Sequence, residues 1–291
     1  MRYQVRLEID YTYGGPSDHA RTLVRLLPSD VPGKQIVTHR KLEVEPTPSE
    51  QYLSTDFFGN SMTSLAFHVP IDRIRLVLSA EAERLLTPFN LDLSPNLSGL
   101  AEEISQEKSL RSHSPHHYLG PSIRVIEDEL ITNFAMDQSM NGMTALQIVE
   151  AVGRALHKEM QFDPAATDVT TPPSVAFANR HGVCQDFSHI MIGCLRALGI
   201  PTGYVSGFLR TIPPPGQERL EGADAMHAWV SAWCGVETGW IEYDPTNACT
   251  VGLDHIAVAY GRDYADVSPV KGVLRTSGVQ KSQQRVDVTP K

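Results

Sequence analysis

The chain has 291 residues, of which 41% are hydrophobic and 20% charged, and a net charge of −9. That length holds one large domain or two ordinary ones, and the composition is that of a soluble globular protein. The acidic balance excludes no enzyme class but disfavours a nucleic-acid partner, because phosphate binding needs a basic surface. No apolar run approaches membrane-spanning length, so no membrane role is expected. The N-terminus, Met1-Arg-Tyr-Gln-Val-Arg6, lacks an apolar signal core, and the expected location is the cytoplasm.

The first ninety residues read as strands. Tyr3, Val5, Leu7, Ile9 and Tyr11 alternate with polar residues, as a half-buried strand requires. Gly14-Gly-Pro16 marks a turn. Strand patterns continue at 21–27, 35–44, 51–56, 62–69 and 73–78, with a tight hairpin connection at Phe58-Gly-Asn-Ser61. Strands with short turns and no helices between them indicate an antiparallel sheet or sandwich. Residues 91–120 read as an irregular linker. It holds Ser112-His-Ser-Pro-His-His117, which lacks the cysteine or acidic partners of a metal site. Helices are expected over 122–135 and 144–161, the second opened by a capping box at Thr144-Ala-Leu-Gln147.

The next segment carries chemistry. Phe187, Ile190, Met191, Cys194, Leu195 and Leu198 recur at helical spacing, so 185–198 should be a helix with one buried face. Gly199 and Pro201 end it. Cys184 then stands at the helix N-terminus, outside the apolar stripe, where unpaired N–H groups and the macrodipole favour a thiolate. Cys194 falls on the apolar face and reads as a buried hydrophobe. Strands follow at 203–209, 226–234 and 240–244, with a turn at Gly235 to Gly239. A hairpin turning near Val236 puts position 227 opposite about 246, so His227 and Asp244 share a face. The carboxylate can then accept from one imidazole nitrogen while the other faces the thiol. His189 lies five positions past Cys184, too far round the helix to reach the thiol. Asp186 in the first turn suits a capping role. The polar end, 279–288, alternates weakly and fits a returning edge strand.

Three fragments occur in the order Cys, His, Asp: Gly182-Val-Cys-Gln-Asp-Phe-Ser-His189, His227-Ala-Trp229 and Gly239-Trp-Ile-Glu-Tyr-Asp-Pro-Thr-Asn247. Together they resemble the transglutaminase-like branch of the papain-fold superfamily. Gly261-Arg-Asp-Tyr-Ala-Asp-Val-Ser-Pro-Val270 is similar to the same stretch in bacterial members with an N-terminal β-domain. The resemblance implies an α+β fold: an antiparallel β-sandwich-like domain over 1–90, the linker at 91–120, and a catalytic core over 121–291. It implies acyl transfer through a thioester, with Cys184 as nucleophile, His227 as base and Asp244 as its orienter. No metal or organic cofactor is called for. The expected activity is hydrolysis of a peptide or protein amide. A transglutaminase that passes the acyl group to an amine, or a non-enzymatic peptide-binding module, are the alternatives. In the family an aromatic side chain upstream of the cysteine often helps bind the oxyanion. Here that region reads Gln161-Phe-Asp-Pro164, so the Cys184 N–H is the expected donor. The Pro-rich connection 210–223 is expected to border the acyl-donor cleft.

Overall fold

The computed structural model describes residues 1–17, 20–86, 91–211, 224–274 and 279–291. The connection expected beside the cleft falls almost wholly within 212–223 and so lies outside the described residues.

Six strands come first: β1 (Arg2–Ser17), β2 (Ala20–Val24), β3 (Gln35–Glu45), β4 (Glu50–Thr55), β5 (Ser61–Phe67) and β6 (Ile71–Arg84). The alternation read from the sequence is the burial pattern. Tyr3, Val5, Leu7 and Ile9 of β1 face the core, as do Ile74, Leu76, Leu78, Ala80 and Ala82 of β6. The expected hairpin at 58–61 joins β4 and β5. There Asp56 Oδ1 accepts from the N–H groups of Phe58 and Asn60, both at 2.9 Å, and Gly59 takes a left-handed φ of 86°.

The helices and strands of the second half follow as α1 (Leu97–Gln106), α2 (Glu129–Gln138), α3 (Ala145–Glu159), β7 (Gln161–Phe162), α4 (Pro173–Asn179), β8 (His181–Gly182) and α5 (Cys184–Ala197). Then come β9 (Thr202–Leu209), β10 (Ala225–Trp233), β11 (Trp240–Asp244), β12 (Cys249–Thr250), β13 (His255–Gly261), α6 (Tyr264–Val267), β14 (Val270–Leu274) and β15 (Gln280–Pro290). The antiparallel sheet of the core has the order β12-β11-β10-β9-β13, and α5 packs on it.

Three local expectations need correction. Gly14-Gly-Pro16 is not a turn but lies within β1, where Gly14 N–H donates to Val279 O at 3.0 Å. The stretch 91–120 is not wholly irregular. Asn96 accepts from Gly99 N–H at 3.0 Å and starts α1, whose Leu100 and Ile104 are buried. The helix expected over 122–135 begins later, at Glu129, because Asp128 caps it. Upstream, Arg124 N–H is drawn instead to Asp263 Oδ2 at 2.6 Å. The capping box at Thr144 and Gln147 forms as read.

The C-terminal strands return to the first layer. One four-stranded sheet runs β15-β1-β6-β3 and the other β14-β2-β5-β4. Thus the last twenty or so residues, which the sequence reading assigned to the core, pair with the N-terminal sheets. The returning edge strand at 279–288 is β15.

Side-chain amides join the two parts. Gln35 Oε1 accepts from Ala257 N–H at 2.9 Å while its Nε2 donates to Ala257 O at 2.8 Å. Asn60 does the same to Tyr260, at 2.8 and 2.7 Å. Each amide mimics a neighbouring strand and satisfies the backbone of β13, the last strand of the core sheet.

Gly153 of α3 sets the spacing between that helix and β11. A Cβ there would stand 2.1 Å from Tyr243 Cε1, next in sequence to Asp244. Alanine is the better helix former by about 1 kcal/mol, yet Gly153→Ala should lower the melting temperature. Overpacking of this kind costs about 1–3 kcal/mol. A raised melting temperature would contradict this packing.

Candidate active site

Cys184 is the first residue of α5 and is half-buried. Asp186 caps the helix as expected: its Oδ2 accepts from Val183 N–H at 2.8 Å and from Thr167 Oγ1–H at 2.6 Å. Burial pushes the Asp186 carboxyl upward. Gly182 is required beside it, since a Cβ there would lie 2.7 Å from Asp186 Cβ. Strand β7 runs parallel to β8, and Asp163 N–H donates to Gly182 O at 3.0 Å. The segment 161–163 thus lies against the residues that lead into Cys184. Its Gln161 and Phe162 are both exposed.

The hairpin has the expected register. Val230 pairs with Tyr243 and Trp233 with Trp240, a register that continues to 227 opposite 246. His227 Nε2 bonds Asp244 Oδ2 at 2.7 Å, leaving Nδ1 for the thiol. Burial opposes a charge on His227, but hydrogen bonds to Asp244 and Cys184 outweigh it and push the imidazolium up to about 10. Asp244 is fully buried. Burial alone would raise its carboxyl, yet the bonds from His227 and His255 hold it well below the usual range. The structure therefore brings Cys184, His227 and Asp244 together.

One member of the cluster was missed by the sequence reading. His255, at the start of β13, meets Asp244 Oδ2 at 3.1 Å. The available signal was a histidine opening the otherwise apolar run His255-Ile-Ala-Val-Ala259. Strands β11 and β13 stand near opposite ends of the strand order, so the sheet must curl to bring them into contact.

The other candidates take structural places. His189 is buried, and its Nε2 accepts from Tyr264 N–H at 3.1 Å; burial pushes it down to about 4. The Tyr264 ring itself, in the motif at 261–270, stands edge-on to Tyr204 with centroids 6.2 Å apart. In the same motif Asp263 caps α6 and Arg262 pairs with Asp266 at 2.8 Å. His181 Nδ1 bonds Asn179 O at 2.7 Å. Trp229 is fully buried and donates to Glu242 Oε2 at 2.9 Å. Glu242 also holds Lys34 Nζ at 2.8 Å. All four cysteines are free, and Cys194 is buried as expected. A cavity of about 520 Å³ between the β-sheets and the core, lined by Lys34, Phe58, Tyr118, Trp240, Glu242 and Tyr260, includes none of the three clustered residues.

His227, Asp244 and His255 each offer a metal-ligand atom, and these lie within 4.8 Å of one another. Both imidazole nitrogens are already hydrogen-bonded to the carboxylate. The set is therefore satisfied without an ion. In His116 and His117, by contrast, Nε2 bonds the main-chain oxygens of Glu107 and Leu110.

The fold is a transglutaminase-like α+β core joined to antiparallel N-terminal sheets. Residues 132–245 match the transglutaminase-like superfamily, and residues 3–83 match the bacterial transglutaminase-like N-terminal region. An uncharacterized protein of Mycobacterium tuberculosis is 30% identical over 305 residues, covering 99% of this chain and 93% of the relative. Another from Mycobacterium leprae is 27% identical over 291 residues, covering 99% and 98%. The solved structure of a candidate cysteine protease from Cytophaga hutchinsonii superposes with a TM-score of 0.75 at 18% identity, over 99% of this chain and 90% of that one. The chain belongs to the transglutaminase-like superfamily. No helix among its described residues is long and apolar enough to cross a membrane.

Proposed function

We propose that the protein is a cysteine-dependent amide hydrolase working through a Cys184–His227–Asp244 triad. The observation that carries this reading is the 2.7 Å bond from His227 Nε2 to a fully buried Asp244, in an imidazole whose charged form is also supported by Cys184. Cys184 Sγ attacks the amide carbonyl carbon from a pair in which the proton already rests on His227 Nδ1. The oxyanion faces the unpaired N–H groups at the start of α5, that of Cys184 among them. Collapse breaks the C–N bond, and the imidazolium gives its proton to the leaving amine. Water, deprotonated by His227, then attacks the thioester and releases the acid and the thiol. Asp244 holds the ring in its productive tautomer throughout.

The substrate is a peptide or protein amide, and the acceptor we assign is water. Resemblance to superfamily members that hydrolyse amides carries that choice. An amine acceptor would use the same three groups and give a cross-linking transglutaminase. The four free thiols suit a reducing compartment such as the cytoplasm.

An internal control is available. Cys249 is also half-buried and free, and burial pushes its thiol up. At neutral pH, iodoacetamide should alkylate Cys184 at least ~10-fold faster than Cys249, because only Cys184 has a helix terminus and an imidazolium. Equal rates, read by peptide mass spectrometry, would remove the activated thiol from the account.

A further inference from the structure

Asp244 collects five hydrogen bonds from the described residues. Oδ1 accepts from the N–H groups of Thr246 at 2.9 Å and Asn247 at 3.2 Å. Oδ2 accepts from Asn247 Nδ2 at 2.7 Å, His227 Nε2 at 2.7 Å and His255 Nε2 at 3.1 Å. The bonds from Thr246 and Asn247 come from the turn that follows Asp244 and fix the carboxylate only locally. Among the described residues, His255 alone reaches it from another strand besides that of His227.

The state of His255 follows from its other nitrogen. Nδ1 accepts from Gly252 N–H at 3.4 Å, so Nε2 carries the proton and donates to Asp244. The ring is buried, at 5% exposure. It stands edge-on to Trp229, with centroids 5.2 Å apart and planes at 82°. Trp229 is itself anchored by Glu242, and Glu242 by Lys34 in the turn before β3. A continuous set of fixed groups thus runs from Lys34 to the carboxylate.

We propose that His255 is a positioning residue that fixes the Asp244 carboxylate against His227. It does not touch the reacting atoms. Its Nε2 is a third donor to Oδ2, from the side of β13, and keeps the carboxylate from tilting away when His227 cycles between charged and neutral forms. The proposal rests on the reading that Asp244 orients His227.

The test uses the full chain acetylated on Cys184 by p-nitrophenyl acetate, and reads the rate at which that acetyl-enzyme hydrolyses. His255→Leu removes the donor and should slow deacylation ~10–100-fold, the range by which loss of the hydrogen-bond partner behind a metal-ligating side chain lowers activity. His255→Gln puts an amide donor near the Nε2 position and should restore deacylation to within about 3-fold of the parent, at unchanged melting temperature. A merely structural role would not produce that rescue. Asp244→Asn is measured alongside. If Asp244→Asn deacylates at the parental rate, the underlying triad reading fails. If Asp244→Asn is slow while His255→Leu keeps the parental rate, this proposal alone is overturned. Should His255→Leu not fold, His255→Asn replaces it. Its shorter amide cannot reach Oδ2, so it should be slow where His255→Gln is fast, and equal rates in the two overturn the proposal.

Discussion

Cys184→Ala is expected to abolish turnover of any peptide that the parent enzyme processes, by on the order of 10³-fold or more, the scale seen when a covalent nucleophile is deleted. The fold should survive. Cys184 is half-buried at the start of α5 and lies outside the buried stripe formed by Phe187, Ile190, Met191, Cys194 and Leu195. Its truncation leaves no large cavity. Cys184→Ser should fail too, since a serine hydroxyl is far less acidic than a thiol and a much weaker nucleophile at neutral pH. Parental turnover in the alanine variant, on a substrate confirmed by mass spectrometry, would sink the assignment.

His227→Ala should have an effect of similar size, whereas His189→Ala should act mainly on stability. The two histidines are held in opposite ways. Hydrogen bonds to Asp244 and Cys184 push His227 up, so it is charged near neutrality. Burial pushes His189 down, and its Nε2 is used as an acceptor for Tyr264 N–H, so it is neutral there. In the proposed triad it is His227 that supplies the imidazolium beside the thiol. The rate of Cys184 alkylation at neutral pH should therefore fall sharply in His227→Ala and change little in His189→Ala. The reverse order would exchange their roles. His189→Ala should instead lower the melting temperature, because it opens a cavity beside Tyr204 and leaves Tyr264 N–H without an acceptor.

Much of this architecture is legible in the sequence because it is local. The alternation of Tyr3, Val5, Leu7 and Ile9 is the period of a strand with one buried face, and that face is buried. The hairpin register follows from the turn. Gly235 and Gly239 take the left-handed φ values of 99° and 69° that the turn needs, and Trp233 pairs with Trp240 around it. With the register set, His227 and Asp244 have to share a face. Cys184 could be placed for a similar reason, since the apolar stripe and Gly199 bound its helix on both sides.

What was not legible is long-range. Nothing in the polar run 280–290 says that β15 pairs with β1, because the partner lies at the other end of the chain. His255 reaches Asp244 only through the curl of the sheet, which no local pattern records. The clasping of Ala257 and Tyr260 by Gln35 and Asn60 is equally hidden, since a buried amide looks like a surface residue until its partner is known. Helix α1 was missed for a different reason. Its cap Asn96 and buried Leu100 and Ile104 sit among Ser, Pro and Asn residues that read as loop.

The central claim is that Cys184 transfers the acyl group of an amide to water. It is tested most directly by incubating a defined peptide mixture with the parent protein and with Cys184→Ala, with and without an added primary amine, and reading every mass change. The expected result is cleavage or deamidation in the parent alone, with the amine little incorporated. Amine incorporation in place of hydrolysis would contradict the choice of water while keeping the triad. No mass change in the parent, or the same change in Cys184→Ala, would contradict the thioester mechanism itself.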